Sequence, residues 1–139
     1  MRILGLDYGT KRIGVALSDE LLFTAQGMET IERRDLRTDL GVINKIILEN
    51  NVSEVVVGLP VSMNGTHSAK TKETLEFIDD LAKSIQVPVR MYDERLTTMQ
   101  AERVLLEADM SRAKRKGLRD KIAAQLILQS YLDSRKREP

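Results

Sequence analysis

Met1-Arg2-Ile3-Leu4-Gly5-Leu6-Asp7-Tyr8-Gly9-Thr10-Lys11-Arg12-Ile13-Gly14-Val15-Ala16-Leu17-Ser18-Asp19 reads as a strand, a tight turn and a second strand. Ile3, Leu4 and Leu6 lead up to Asp7, Tyr8-Gly9-Thr10-Lys11 reverse the chain, and Ile13, Val15 and Leu17 alternate back out of the turn. The one carboxylate in the middle, Asp7, is therefore held at the rim of a sheet. Gly5, Gly9 and Gly14 lack a Cβ, so backbone, a partner strand or a phosphate can approach closely there. A plain hairpin with a solvated Asp7 would show the same pattern, so the rest of the chain decides what the acid does.

Leu21 to Ile31 is expected as a third antiparallel strand with a loose middle at Gly27. Asp35 offers an N-cap, and Leu36, Leu40, Ile43 and Ile47 recur at helical spacing until Asn50-Asn51. The valine run of Glu54-Val-Val-Val-Gly-Leu-Pro60 is that of a strand covered on both faces. Leu75, Ile78, Leu81, Ala82 and Ile85 predict an amphipathic helix after the Asn64-Gly65 turn, and Val87 to Tyr92 a short edge strand running into Asp93-Glu94. Thr97 and Gln100 have capping-box spacing for a helix with Ala101, Val104, Leu105 and Ala108 on one side. Beyond a basic segment, Gly117 is expected to mark the start of a last helix carrying Ala124, Ile127, Leu128 and Tyr131. This order predicts an α/β domain over 1–139, its basic tail frayed from about 134. Its mixed five-stranded sheet has three antiparallel strands, then two parallel ones, with helices on both faces, the ribonuclease H-like arrangement.

The chain has no cysteine and a single histidine, His67, so any metal must be held mainly by oxygen, which favours Mg²⁺ or Mn²⁺. No apolar run has the length of a signal peptide core or a membrane span, which points to a cytoplasmic protein away from membranes. The net charge of +1 says little about partners, but its distribution says more. Arg112, Lys114, Arg115, Lys116, Arg119 and Lys121 crowd one segment, Arg33, Arg34 and Arg37 a second, and Arg135, Lys136 and Arg137 a third. The first of these precedes Asp120 and is the candidate grip on a nucleic-acid backbone.

Ligands of an open α/β sheet bind outside the carboxyl ends of its parallel strands. Asp7 ends the first such strand, Gly58 the next and Asp93-Glu94 the last; strand alternation lets one of that acid pair look toward Asp7, without saying which. Asp120 precedes Ala124 by four residues and Ile127 by seven, on the apolar stripe of the last helix. Converging carboxylates repel, and divalent metal relieves the conflict. Two Mg²⁺ ions would activate a water for in-line attack on a phosphodiester.

Leu6 to Ala16, Val57-Gly58-Leu59-Pro60, Asp93-Glu94-Arg95-Leu96-Thr97-Thr98 and Asp120 to Leu132 together resemble the YqgF family, in order and over the whole chain. The family is described as Holliday-junction resolvases and as nucleases maturing the 5′ end of pre-16S ribosomal RNA. The resemblance implies a ribonuclease H-like hydrolase of phosphodiester bonds in bacterial cytoplasm, with Asp7, Glu94 and Asp120 as catalytic metal ligands. Lys11, Arg12, Arg95, Arg112, Lys114, Arg115, Lys116 and Arg119 are the candidate nucleic-acid contacts. Implied partners are ribosomal RNA precursor, branched DNA and ribosomal particles, met as a monomer or homodimer. The related RuvC-type resolvases place an acid at the end of the strand after the first helix, where this chain has Gly58-Leu59-Pro60, so the site must be completed from the next strand. A non-cleaving RNA-binding assembly factor, and a phosphate-binding module like the first phosphate loop of actin and sugar kinases, are the other classes compatible with the residues.

Overall fold

In a computed structural model the described residues are 1–62, 64–96 and 112–136. An antiparallel meander of β1 (Arg2–Tyr8), β2 (Arg12–Ser18) and β3 (Ala25–Glu32) leads to α1 (Leu36–Glu49), β4 (Val52–Leu59), α2 (Ala69–Ser84) and β5 (Val89–Asp93). A short 3-10 turn (Glu94–Leu96) follows, and α3 spans Arg112–Lys136. The sheet order is β3-β2-β1-β4-β5, with β4 parallel to β1 and β5 parallel to β4. This is the mixed five-stranded sheet expected from the sequence. The capping box at Thr97 and Gln100 and the helix expected after it lie outside the described residues.

Local chemistry sets most boundaries. The Asp35 carboxylate accepts the Thr38 N–H at 2.8 Å to start α1, and Asn51, with φ 55°, turns the chain away after it. Ser68 and Thr71 form a reciprocal capping box at the start of α2. The third strand begins later than the apolar pattern suggests: Asp19 Oδ1 accepts the N–H groups of Phe23 (2.7 Å) and Thr24 (3.0 Å), and Leu22 has φ 62°. That turn holds residues 21–24 out of the ladder. The loose middle of β3 is a register shift opposite Ile13 and Val15, where Ile31 and Met28 are their partners.

Each sheet face carries its own core. Leu4, Leu6, Ile13, Val15 and Val57 meet Ile43 and Ile47 of α1 and Phe77 and Leu81 of α2 on one face; Ile3, Ala16, Ala25 and Val56 meet Ala124, Leu128 and Leu132 of α3 on the other. Full burial of each such aliphatic side chain is worth about 1.5–3 kcal/mol. The buried stripe of α2 is Thr71, Thr74, Phe77 and Leu81, while Ala82 is exposed, a shift from the expected face. The two threonines tolerate burial because their hydroxyls bond to the carbonyls of Pro60 and Lys70. Gly117 does not separate the basic segment from the last helix either: α3 is continuous from Arg112. One glycine costs a helix only about 1 kcal/mol, and the stripe of Ala124, Ile127, Leu128 and Leu132 outweighs that. At its other end the helix continues to Lys136, with Arg135 donating to Glu54 at 3.1 Å. Among the described residues no helix is long and apolar enough to cross a membrane.

α3 approaches the sheet closely because glycines lie under it. A Cβ at Gly5 would come 2.8 Å from Leu128 Cβ, one at Gly27 2.7 Å from Lys121 Cγ, and one at Gly58 2.5 Å from Ile127 Cδ1 and 2.8 Å from Glu94 Oε1. Gly58→Ala should therefore destabilise the protein by about 1–3 kcal/mol. Gly41→Ala, in exposed α1 with nothing within 4 Å of the added carbon, should stabilise it by about 0.5–1 kcal/mol. Denaturant unfolding of the two variants beside the wild type measures both signs.

Candidate active site

Asp7 is the penultimate residue of β1, paired with Gly14 across the hairpin, and the turn that follows it is closed by Gly9. Gly9 donates to the Arg12 carbonyl at 2.9 Å, and a Cβ there would lie 2.5 Å from that oxygen, so only glycine fits. Arg33 braces the turn from outside, donating to the carbonyls of Gly9 and Thr10 at 2.9 Å each and stacking 4.3 Å above the Tyr8 ring. Tyr8 in turn stacks on Phe77 of α2, with centroids 4.1 Å apart. The turn that aims Asp7 is thus fixed on the face opposite α3.

The second acid arrives from the end of β5. Gly58 pairs with Tyr92 and Leu59 with Asp93, so the strand stops level with β4 and the 3-10 turn begins at Glu94. Asp93 and Glu94 then separate. Asp93 accepts from Arg95 Nε at 2.9 Å, from its terminal nitrogen at 2.6 Å and from its backbone N–H at 2.9 Å. That guanidinium holds the Asp93 carboxyl below the usual carboxylate range. Glu94 folds back over Gly58, filling the space a side chain there would take, and its carboxyl hydrogen-bonds to that of Asp7.

Two carboxyl groups in contact cannot both be charged at low cost. Burial first, then the hydrogen bond and negative charge of Asp7, push the Glu94 carboxyl up to about 9, with Lys70 pulling the other way. At neutral pH the pair therefore holds a proton between its oxygens. The Lys70 ammonium, on the first turn of α2, is buried without a hydrogen-bond partner and lies 5.6 Å from the centre of the Tyr8 ring. Nothing in the sequence singled it out: its place follows from the capping box at Ser68, but its burial depends on where the Tyr8 ring and Glu94 come to rest.

The other candidates are more dispersed. The backbone of Asp120 lies in α3 one turn before Ala124, whose carbonyl would be 3.3 Å from a Cβ at Gly5. Among the described residues no three acidic or histidine side chains converge as a complete metal cage. The side chains of Asp120, Arg112, Lys114, Arg115, Lys116 and Arg119 lie outside the described residues. Lys11 is exposed on the hairpin turn, Arg12 pairs with Glu32 at 2.8 Å, and Arg95 pairs with Asp93. Asn64-Gly65-Thr66 is a tight turn, with Gly65 at φ 85° and Asn64 Oδ1 accepting the Thr66 N–H, and His67 beside it is exposed.

The proton on Glu94 makes stability depend on pH. With its folded pKa near 9 against an ordinary 4.5, the folded chain binds one more proton than the unfolded chain between those values. The stability this group contributes is complete at low pH and is lost as pH rises from about 4.5 to about 9. Glu94→Gln should remove that loss. In EDTA the variant should melt about 2–6 °C above the wild type at pH 8 and close to it at pH 5, as thermal unfolding at the two pH values measures.

The family model for RuvX, described as Holliday junction resolvase, matches residues 1–134. A protein of Halothermothrix orenii named "Putative pre-16S rRNA nuclease" is 54% identical over 133 residues, covering 96% of this chain and 95% of that one. A protein of the same name from Symbiobacterium thermophilum is 53% identical over 139 residues, covering 100% and 96%. Among solved structures, Thermus thermophilus RuvC in complex with Holliday junction substrate superposes with a TM-score of 0.61 at 18% identity, covering 98% of this chain and 96% of that one. The Fowlpox virus resolvase bound to Holliday junction DNA gives 0.54 at 17%, covering 96% and 98%. The likeness to these solved structures shows a shared ribonuclease H-like fold, and the match along nearly the whole chain shows that this protein belongs to the RuvX family, also known as YqgF.

Proposed function

We propose that the chain is a divalent-metal-dependent endonuclease that hydrolyses phosphodiester bonds in structured RNA, maturing the 5′ end of pre-16S ribosomal RNA in the cytoplasm. The observation that carries this reading is the carboxyl pair of Asp7 and Glu94 at the carboxyl rim of the parallel strands. The choice of RNA rests on relatives at about half identity whose names specify that substrate.

The donor set fits a hard cation: oxygen ligands only, two of them in contact and keeping a proton where a cation would go. Asp7, Glu94 and Asp120 would hold Mg²⁺ or Mn²⁺, which when bound polarises the phosphoryl oxygen and makes water a better nucleophile. Glu94 releases its proton as the ion is taken up. Asp93 serves by locking Arg95, which keeps the 3-10 turn in place and Glu94 turned inward. Lys11, Arg12, Arg95 and the basic start of α3 bind backbone phosphates on either side of the acids, as a monomer or homodimer acting on ribosomal particles or free precursor. With three tyrosines, two phenylalanines and no tryptophan, recognition rests on backbone shape more than base stacking.

A second reading is cleavage of Holliday junctions, favoured by the family's description and by the fold shared with junction-bound resolvases. Against it stands Gly58, where those enzymes are expected to carry an acid. Incubating the protein with ribosomal RNA precursor and with a four-way junction side by side, with and without Mg²⁺, decides between them; binding without cleavage of either would make it an assembly factor.

On the preferred substrate, Asp7→Asn and Glu94→Gln should fall to background, while Asp93→Asn should keep activity within about tenfold of wild type. Gel cleavage assays rank the three. Replacing Arg115 and Lys116 together by Ala should weaken binding regardless of sequence. It should also flatten the salt dependence by about 0.7 in slope per lost contact on single strands, or about 0.9 on duplex DNA. Titrations at several salt concentrations measure both effects.

A further inference from the structure

The reading of Asp7, Glu94 and Asp120 as metal ligands leaves the number of ions open, and Lys70 bears on it. Its ammonium is shut off from water, has no hydrogen-bond partner, and sits on the first turn of α2, where the helix dipole disfavours a cation. Such a charge persists only if opposite charge compensates it. The Tyr8 ring lies on one side at 5.6 Å, and the carboxyl of Glu94, already bonded to Asp7, is near enough on the other for the ammonium's charge to act on it.

We propose that Lys70 supplies the second positive charge of the site, so that Asp7, Glu94 and Asp120 take up one divalent ion and not two. The proposal rests on the reading of those three acids as ligands. One divalent ion together with the ammonium balances three carboxylates; a second ion would leave a surplus of two positive charges in a partly buried site. A fourth carboxylate that could offset the surplus has no room on β4, because a side chain at Gly58 would collide with Ile127 and Glu94. Lys70 is thus a positioning residue, acting on the acids and through them on the ion.

The test is Mn²⁺ binding to the folded protein without nucleic acid, followed by electron paramagnetic resonance and calorimetry. The wild type should bind one ion per chain. Lys70→Met should bind a second ion, or bind the first about tenfold more tightly. Lys70→Arg should restore the wild-type count. Lys70→Gln serves as a second neutral variant should Lys70→Met not fold, and circular dichroism checks each. Two ions on the wild type, or neutral variants indistinguishable from it in count and affinity, would overturn the proposal while leaving the acids as ligands. A wild type that binds no Mn²⁺, or an Asp7→Asn variant that binds it normally, would overturn the ligand reading itself and this proposal with it.

Discussion

Residue 58 has room for its own side chain or for Glu94, but not for both. With glycine there, β5 can end level with β4, the chain can turn at once through Glu94–Leu96, and the glutamate can lie back across the sheet toward Asp7. The same absence admits Ile127, so helix and acid share one small volume. Gly5 and Gly27 extend that clearance across β1 and β3, and the result is a helix seated directly on backbone instead of on a layer of side chains. Hydrogen bonds from Gln125 and Gln129 to the backbone of Ala25, and from Tyr131 and Arg135 to Glu54, pin its two sides.

The fold was largely legible because its signals are local and repeated. The alternation of Ile13, Val15 and Leu17, the valine run before Gly58 and the Asp35 cap each name an element without reference to the rest of the chain. What stayed hidden depends on contacts between distant segments. The face of α2 was misjudged because Thr71 and Thr74 look polar in sequence, whereas Thr71 bonds to Pro60, eleven residues away, and Thr74 to its own helix. Gly117 looked like a break because a helix is normally ended by such a residue, yet the stripe beyond it packs well enough to carry the helix through.

The site divides in the same way. Asp7 could be placed at a sheet rim from its own neighbours, but strand alternation left Asp93 and Glu94 undecided, and it was the family resemblance that preferred Glu94. The structure gives the two residues different surroundings: the strand ends at Asp93, alternation no longer applies, and Arg95 occupies one acid while Asp7 occupies the other. Lys70 left no trace in the sequence at all, since an isolated lysine at the start of a helix is ordinarily solvated.

The shared volume over β4 also limits how this site can diverge. Positions 58 and 94 act as one compartment with a single occupant, so a carboxylate rooted on β4 and one rooted after β5 are alternatives. A lineage could pass from one to the other only by changing both residues, since a larger side chain at 58 alone evicts Glu94, and loss of Glu94 alone leaves Asp7 facing an empty space. The two residues should therefore drift as a linked pair, and a chain's residue at 58 should reveal which strand supplies its second acid before anything else about the site is known.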